Sequence, residues 1–305
     1  MSTLNNDVKE FLSFCQNQKA LSAKTAKAYA NDLKQYQSFC KSECLLLNRE
    51  TIQKYMRSLH SVYKPKTVKR KIATLKAFTH YLMIEGKIQT NPFDLIVTSF
   101  RAPAILPRTI PQNVLFDLLK VAYQRIANAN TDFQLKSAVR NATILELLFA
   151  TGIRVFELCN LQAKSVSLDD YTICVYGKGS KERIIQIPNQ DVQKILKRYY
   201  LLFENDIQNS GFFFVNKMHT KLSEQSVRNI INQYSSLLNG TPHLTPHMFR
   251  HTFATLLLEE DVDIRYIQTI LGHSSITTTQ IYTHVATEKQ HQILLAKHPR
   301  NKINL

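Results

Sequence analysis

The chain has 305 residues, of which 44% are hydrophobic and 20% charged, values typical of a globular protein of about two domains with a sizeable core. It carries 39 Lys and Arg against 23 Asp and Glu, a formal net charge of +16 at pH 7. No run approaches the roughly 18 consecutive apolar residues that a transmembrane helix needs, which argues against a membrane protein.

The cysteines and the first residues indicate the compartment. Five cysteines are an odd number and form no CxxC pair, which argues against both a disulfide framework and a cysteine zinc cluster. Residues 1–7 lack the basic and then apolar pattern of a secretory signal. We therefore expect a cytoplasmic protein.

Positive charge is concentrated in the first third of the chain. Residues 1–100 hold 16 basic and 7 acidic residues, and residues 54–87 hold nine basic residues and a single acid, Glu85. A solvated helix surface that keeps the protein soluble would have the same composition. The clustering nevertheless favours a surface that binds a polyanion such as nucleic acid.

The first hundred residues show helical periodicity in four segments. Apolar side chains recur three and four residues apart after Val8, after Ser22, after Asn48 or Thr51, and after Lys66. The polar side of the fourth segment carries five basic residues: Lys66, Lys69, Arg70, Lys71 and Lys76. We predict a helical domain at 1–100 that binds DNA through these five side chains.

Three prolines interrupt the pattern and separate two domains. Pro103, Pro107 and Pro111 restrict the backbone to extended conformations, so residues 101–112 are predicted to form a linker. The second domain, 113–305, is again mainly helical.

One part of the second domain differs from this pattern. Thr172–Tyr176 and Arg183–Pro188 alternate and are rich in β-branched residues, which predicts a hairpin, and Ser165–Leu168 is a candidate third strand. The expected fold is mainly α with a small antiparallel sheet.

The first cluster of residues suited to catalysis or ligand binding lies at a glycine turn. Gly152 interrupts an apolar helical segment and places Arg154 at the start of the next helix, with Glu157 one turn further on the same face. An arginine can bind phosphoryl oxygens through two parallel hydrogen bonds, and the carboxylate can hold its guanidinium in place. An ordinary salt bridge on a helix surface has the same spacing.

Two further clusters carry a lysine and a histidine–arginine pair. Lys178 lies between two glycines at the predicted hairpin tip, where a lysine can protonate a leaving oxygen; an exposed turn lysine is the plain alternative. Pro246 is predicted to begin a helix that carries His247 and Arg250 near its N-terminus, where an anion is favoured.

The histidines of that segment also suggest a metal site. His243, His247 and His251 recur every four residues. Zincin chemistry requires a glutamate within the HxxxH spacing, and none is present here. No cysteine is near in the sequence either. We therefore expect no metal ion here.

The last cluster combines a histidine and a tyrosine. Gly272 is predicted to end a helix that starts near Asp263, His273 follows it directly, and Tyr282 lies nine residues further on. A tyrosine hydroxyl with its usual pKa near ~10 needs help from its neighbours to act as a nucleophile. Taken alone, a tyrosine more often packs in a core or interface.

Together these clusters resemble the tyrosine recombinase (integrase) family. The resemblance rests on the arginine in TGIRVFEL, the lysine in GKGSKER, the HxxR in PHMFRH, the histidine in LGHSS and the tyrosine in TTTQIYTH, which occur in the family's order. SAKTAKAYANDLKQYQSF and LKAFTHYLMIEGKIQTNPF are similar to the family's helical core-binding domain, so the resemblance covers nearly the whole chain. The compact length and the run LGHSSITTTQIYTHV look most like the Xer-type branch.

The resemblance implies a reaction at DNA phosphate. Tyr282 would attack the scissile phosphate, form a 3′-phosphotyrosyl link and expel a 5′-hydroxyl, which Lys178 would protonate. Arg154 and Arg250 would bind the non-bridging oxygens. Because the phosphotyrosine conserves the energy of the broken bond, the resemblance implies no cofactor, neither ATP nor metal.

The remaining site residues would support this chemistry. The resemblance implies that His247 acts as general acid and base, that His273 binds the phosphate or positions the nucleophile, and that Glu157 orients the arginine.

The implied partner is double-stranded DNA with a specific core site. A homo-tetramer, or a hetero-tetramer with a second recombinase, would exchange strands through a Holliday junction, and the tail 285–305 would dock into a neighbouring subunit rather than pack on its own domain. Integration or transposition of a mobile element and resolution of chromosome dimers remain alternative roles. A non-catalytic DNA-binding accessory protein and a type IB topoisomerase are the competing classes.

Overall fold

The computed structural model describes residues 2–42, 47–100, 108–176, 182–238, 240 and 243–272. The chain divides into two compact units, Met1–Ala104 and Ile105–Leu305, and each has its own hydrophobic core. The fold is mainly helical with one small antiparallel sheet, which confirms the predicted fold class. Over the described residues, we find no helix of the length and apolarity that crossing a membrane would require.

The first unit is built from helices whose starts are set by side-chain caps. The helices are α1 (Ser2–Asn17), α2 (Ala23–Ser42), α3 (Arg49–Val62) and α4 (Pro65–Ile84). The Ser22 hydroxyl accepts the N–H of Thr25, and the Asn48 side chain accepts the N–H of Thr51, so both predicted starts are confirmed. Pro65, in the first turn of α4, begins that helix one residue before the predicted start.

The apolar stripes of these helices meet in one core. Phe11 of α1, Leu33 and Tyr36 of α2 and Phe78 of α4 are each at most 2% exposed. The rings of Phe11 and Phe78 contact each other edge to face, with centroids 5.4 Å apart. The helical periodicity of the first hundred residues therefore corresponds to burial on one face of each helix.

A buried ion pair joins α2 to α4 and corrects one prediction. Lys71 was predicted on the polar side of α4, but its side chain is 2% exposed, and its ammonium lies 3.0 Å from a carboxylate oxygen of Asp32. The carboxylate also accepts from Arg70 and from the hydroxyl of Thr74. Lys71 borders the apolar stripe of α4, and the Asp32 carboxylate compensates for burying its charge.

Removal of Asp32 is expected to destabilise the first unit strongly. Asp32→Ala leaves the Lys71 ammonium buried without its counter-charge, a loss of about 3–5 kcal/mol. Asp7→Ala, which breaks the more exposed pair between Asp7 and Lys87, is the matched control and should cost far less, because solvent screens an exposed pair. Urea unfolding followed by circular dichroism compares the two variants, and equal losses would contradict the buried-pair explanation.

The second unit is organised around one central helix. Its helices are α5 (Gln112–Ala127), α6 (Asp132–Thr151), α7 (Val155–Cys159), α8 (Gln190–Ser210), α9 (Glu224–Ser235), α10 (Pro246–Glu259) and α11 (Ile264–Leu271), with a short 3₁₀ turn at Ala163–Ser165. Every residue from 141 to 148 in α6 is buried. A helix that is buried on all sides must be surrounded, and α5, α8 and α10 pack against it.

The sheet has three antiparallel strands in the order β1-β2-β3. They are β1 (Val166–Ser167), β2 (Thr172–Tyr176) and β3 (Glu182–Gln186), and β2 pairs with β3 from Thr172↔Gln186 to Tyr176↔Glu182. The predicted hairpin is thus confirmed, although β3 begins and ends earlier than Arg183–Pro188. Its connection, residues 177–181, lies outside the described residues.

Candidate active site

The site begins at the junction of α6 and α7, where Gly152 reverses the chain. Gly152 adopts φ +59° and ends α6, and Arg154 is the N-cap residue of α7. A Cβ on Gly152 would lie 2.7 Å from the ring of Phe253 and 2.8 Å from the side chain of Leu271. Glycine is required here both by the left-handed backbone and by the close approach of α10 and α11.

Gly152→Ala is expected to destabilise the second unit through both of these effects. Gly211→Ala is the matched control, because Gly211 also has a positive φ, +74°, but a Cβ there would have no atom within 4 Å. The control variant should lose only the cost of the left-handed backbone, about 1–2 kcal/mol. Gly152→Ala should lose about 1–3 kcal/mol more through overpacking. Equal unfolding midpoints in urea would contradict the close packing at Gly152.

The carboxylate of Glu157 is the centre of the site. It accepts hydrogen bonds from the guanidinium of Arg154 at 2.7 Å and from the backbone N–H of Arg154 at 3.0 Å. The contact predicted from the spacing of Arg154 and Glu157 is therefore present. It also accepts two hydrogen bonds from Arg183, at 3.0 and 2.7 Å. Burial raises the pKa of Glu157, but the hydrogen bonds from Arg183 and Arg154 outweigh it and hold that pKa below its ordinary value. Glu157 is therefore ionised at neutral pH.

Arg183 is a site residue that sequence reasoning missed. It lies near the start of β3, and its side chain is only 11% exposed. An arginine within an alternating strand normally faces solvent, so no local signal distinguishes it. Only the tertiary structure brings it to Glu157, which lies 26 residues earlier in the chain.

Arg250 approaches the same region from α10. It is 4% exposed and donates to the carbonyl oxygens of Gly152 and Leu271, both at 2.7 Å. These contacts join the end of α6 to the end of α11. The carbonyl of Leu271 that Arg250 binds directly precedes that of Gly272, which accepts from Arg154.

Three arginines meet at the C-terminal end of α11. Arg183 donates to the carbonyl of Ile270 at 3.0 Å, Arg250 to that of Leu271 at 2.7 Å and Arg154 to that of Gly272 at 3.1 Å. The last carbonyls of a helix lack intrahelical partners and carry partial negative charge, so cations stabilise them.

The electrostatic balance of this cluster is positive. Among the described residues, two of the three guanidinium groups, those of Arg154 and Arg183, bind the carboxylate of Glu157, and that of Arg250 binds backbone carbonyls. The side chain of Arg154 is one third exposed, and two of its donors are used in the contacts described above. Because a guanidinium has five N–H donors, Arg154 has donors beyond those that the described residues engage, and these suit an anionic ligand.

The start of α10 carries one exposed and one partly buried histidine. Pro246 lies in the first turn as predicted, and Thr245 occupies the N-cap position without a side-chain cap bond. His247 is exposed to solvent. Burial, together with His247 and Arg250 nearby, lowers the pKa of His251 to about 4. His251 is therefore neutral at pH 7.

Stability is expected to depend on pH through His251. Its folded-state pKa of about 4 lies below its ordinary 6.5, so the unfolded chain binds the proton more readily between these values. The free energy of unfolding should fall by up to about 1.4 kcal/mol per pH unit as the pH drops from 6.5 towards 4. His251→Gln should show a shallower fall over this range in urea titrations. Identical slopes would contradict the assignment.

Metal binding finds no support in the residues that the structure describes. Across these ranges, no group of three or more His, Cys, Asp or Glu side chains is placed to hold an ion.

Three predicted site residues, Lys178, His273 and Tyr282, lie outside the described residues. Described residues that are close to Lys178 and His273 in the chain belong to the arginine contacts at the end of α11 or to strands β2 and β3. Gly272, whose carbonyl binds Arg154, directly precedes His273. Tyr176 and Glu182, which pair across β2 and β3, flank the segment that contains Lys178.

The basic residues predicted to bind DNA lie in the first unit and differ in their surroundings. Lys66, Lys69, Arg70 and Lys76 are exposed. Arg70 pairs with Asp32, Lys76 donates to the hydroxyl of Thr98, and Lys71 is buried as described above.

Family comparison assigns both parts of the chain. Residues 118–289 match the phage integrase family, and residues 8–86 match the phage integrase N-terminal SAM-like domain. The chain belongs to the phage integrase family and is a Xer-like tyrosine recombinase.

Individual relatives cover nearly the full length. A tyrosine recombinase of Agathobacter rectalis is 51% identical over 301 residues, 98% of each chain. The tyrosine recombinase XerC of Thermodesulfovibrio yellowstonii is 34% identical over 302 residues, 97% of each chain. The XerH recombinase crystallised with its palindromic difH substrate has a similar fold, with a TM-score of 0.73 at 21% identity over 95% of this chain and 84% of that one.

Proposed function

We propose that this recombinase cuts and rejoins DNA at a specific site through a 3′-phosphotyrosine formed by Tyr282. The observation that carries the proposal is the convergence of Arg154, Arg183 and Arg250 on the C-terminal end of α11, with Glu157 binding the first two, in a chain that belongs to the phage integrase family. An excess of guanidinium charge suits a phosphate that becomes more negative during the reaction.

The arginines support attack on phosphorus. Arg154 retains donors beyond those that it gives to Glu157 and Gly272, and these would bind a non-bridging oxygen. Arg250 is held by two carbonyls, so its position is fixed before DNA arrives and costs no reorganisation in the transition state. Glu157 keeps Arg154 oriented.

The other proposed site residues carry out the proton transfers and position the reacting groups. In this proposal, Lys178 protonates the leaving 5′-oxygen, and the exposed His247 acts as general acid and base. His273, which directly follows Gly272 in the sequence, binds the phosphate or positions Tyr282. The reverse reaction, attack of a 5′-hydroxyl on the phosphotyrosine, rejoins the strand, and neither ATP nor a metal ion is needed.

The two parts of the chain have different tasks in this proposal. Residues 1–100 bind the core site, and 113–305 carry the chemistry together with a tail that docks into a neighbouring subunit. The linker predicted at 101–112 ends before Gln112, where α5 begins. The exposed Lys66 and Lys69 contact DNA phosphates, joined by Lys76 and Arg70, whereas Lys71 serves the fold.

The partner is double-stranded DNA, and the active assembly is a tetramer on two sites. Support comes from the related XerH recombinase, which is described as bound to a palindromic DNA substrate. A palindromic site matches a two-fold pair of protomers, and two such sites bring four protomers together at a Holliday junction. A second recombinase in a hetero-tetramer is the alternative composition.

Covalent trapping on fragmented host DNA tests the function and identifies the biological role. The protein is denatured in SDS after incubation with the DNA, and the DNA attached to it is sequenced. Adducts at a single chromosomal site would support resolution of chromosome dimers, and adducts at the ends of an element would support integration or transposition. Absence of adducts where DNA binding is demonstrated would mean either that a second recombinase is required or that this chain is a non-catalytic accessory protein.

Metal independence is checked in the same assay. EDTA should leave adduct formation unchanged, and inhibition that zinc reverses would contradict the proposed chemistry. Relaxation of supercoiled DNA without sequence preference would instead indicate a topoisomerase.

A further inference from the structure

Arg183 makes more contacts in the site than its position on a strand requires. Its two terminal nitrogens bind both oxygens of Glu157, at 3.0 and 2.7 Å, and its Nε donates to the carbonyl of Ile270 at 3.0 Å. All three guanidinium nitrogens are therefore engaged. A residue that only filled space in the sheet would not need this arrangement.

The contacts of Arg183 connect three elements of the second unit. The side chain starts on β3, binds Glu157 on α7 and ends at the last turn of α11. A Cβ on Gly272 would lie 3.0 Å from Cδ of Arg183, so the chain passes closely over this arginine just before residue 273. Arg183 thus fixes both the carboxylate and the helix end relative to β3.

Arg154 depends on the same two anchors. One of its nitrogens binds Oε1 of Glu157, the oxygen that also accepts from Arg183, and another binds the carbonyl of Gly272. With Arg183 removed, Glu157 would lose two of its four hydrogen bonds from arginine, and the end of α11 would lose one of its three cationic partners. Both changes would allow the Arg154 guanidinium to move.

We propose that Arg183 is a positioning residue of the recombinase site, which holds Arg154 in place for phosphate through the shared carboxylate of Glu157 and the end of α11. This inference rests on the proposed function. Each guanidinium nitrogen of Arg183 donates within the protein, two to Glu157 and one to the carbonyl of Ile270, and the role that we assign to Arg183 is exerted through Arg154. The pKa of Glu157, lowered by Arg183 and Arg154 against the effect of burial, agrees with this role.

The first test measures the position of Arg154 without DNA. In nitrogen-15 NMR of the guanidinium groups, the Arg154 signals should broaden or shift in Arg183→Gln and also in Arg183→Lys, because a lysine cannot reproduce the two parallel bonds. Arg198→Gln, a change at an exposed arginine of α8, is the matched control and should leave these signals unchanged. Unchanged Arg154 signals in both Arg183 variants would overturn the proposal whether or not the protein cleaves DNA.

The second test is a double-mutant cycle on single-turnover cleavage. Arg183→Gln should slow cleavage on the order of 10²-fold, since small misplacement of a catalytic group costs about that much, while the Kd for DNA stays within about twofold. In the Arg154→Ala background, the same change should add less than about a twofold loss. Equal losses in both backgrounds would mean that Arg183 acts independently of Arg154 and would overturn the proposal.

Failure of the proposed function and failure of the role assigned to Arg183 give different results. If the unmodified protein forms no covalent adduct on DNA that it binds, the proposed function fails, and the NMR comparison still decides whether Arg183 positions Arg154. If adducts form normally and the cycle shows independent effects, only the role of Arg183 fails. Circular dichroism of each variant separates a general loss of folding from a local change, and Arg183→Lys, which keeps the charge, serves if Arg183→Gln does not fold.

Discussion

Tyr282→Phe is expected to abolish covalent attachment to DNA while leaving binding intact. The phenol oxygen is the atom that would form the bond to phosphorus, and phenylalanine keeps the ring but has no nucleophile. The expected loss of SDS-resistant adduct is complete, whereas the Kd for a DNA fragment containing the core site should stay within about twofold, because phosphate contacts supply most of the binding. Adduct formation on a radiolabelled fragment and a binding titration measure the two effects.

Tyr266→Phe is the matched control for that experiment. Tyr266 is 70% exposed on α11 and is assigned no part in the chemistry. Its variant should form adducts at the normal rate. An SDS-resistant adduct formed by Tyr282→Phe would mean that another residue is the nucleophile.

The second large effect is expected from the two arginines that are proposed to bind phosphate. Arg154→Ala and Arg250→Ala should each slow cleavage by about 10²- to 10³-fold, the range found when a single donor to a developing oxyanion is removed. Single-turnover cleavage with enzyme in excess measures this effect without interference from product release. The loss should lie in the rate constant of the chemical step rather than in DNA affinity.

Two controls distinguish a loss of catalysis from a nonspecific effect or a loss of folding. Arg198→Ala removes an exposed arginine of α8 and should leave the cleavage rate unchanged. Arg250 is buried and binds the carbonyls of Gly152 and Leu271, so circular dichroism must show that Arg250→Ala is folded before its rate is interpreted. Normal cleavage by folded Arg154→Ala and Arg250→Ala would contradict the phosphate-binding roles.

Local features of the fold could be predicted because their causes lie within a few residues. Ser22 and Asn48 cap helices through N–H groups three residues away, and Gly272 ends α11 in the left-handed conformation that glycine adopts readily. The contact between Arg154 and Glu157 spans one helical turn and follows from spacing alone. Helix period and cap chemistry are properties of short segments, so they are readable without a structure.

Burial of individual charges could not be predicted in the same way. Lys71 follows Lys69 and Arg70 in a basic run, and nothing in that run distinguishes it from its exposed neighbours. Its partner Asp32 lies 39 residues earlier on a different helix. Whether a lysine at the edge of an apolar stripe is exposed or paired depends on which helix packs beside it, and that is a tertiary property.

The sequence by itself determined the family and the helical fold, because both rest on short motifs and local periodicity. Only the tertiary structure decided how the arginines act together. Arg183, Arg250 and Arg154 come from three separate elements and converge on Ile270, Leu271 and Gly272, three consecutive carbonyls of one helix end. Hydrogen bonds and ion pairs act over a few ångströms in space, so contacts between residues distant in sequence exist only once the packing of α6, α10 and α11 has brought them together.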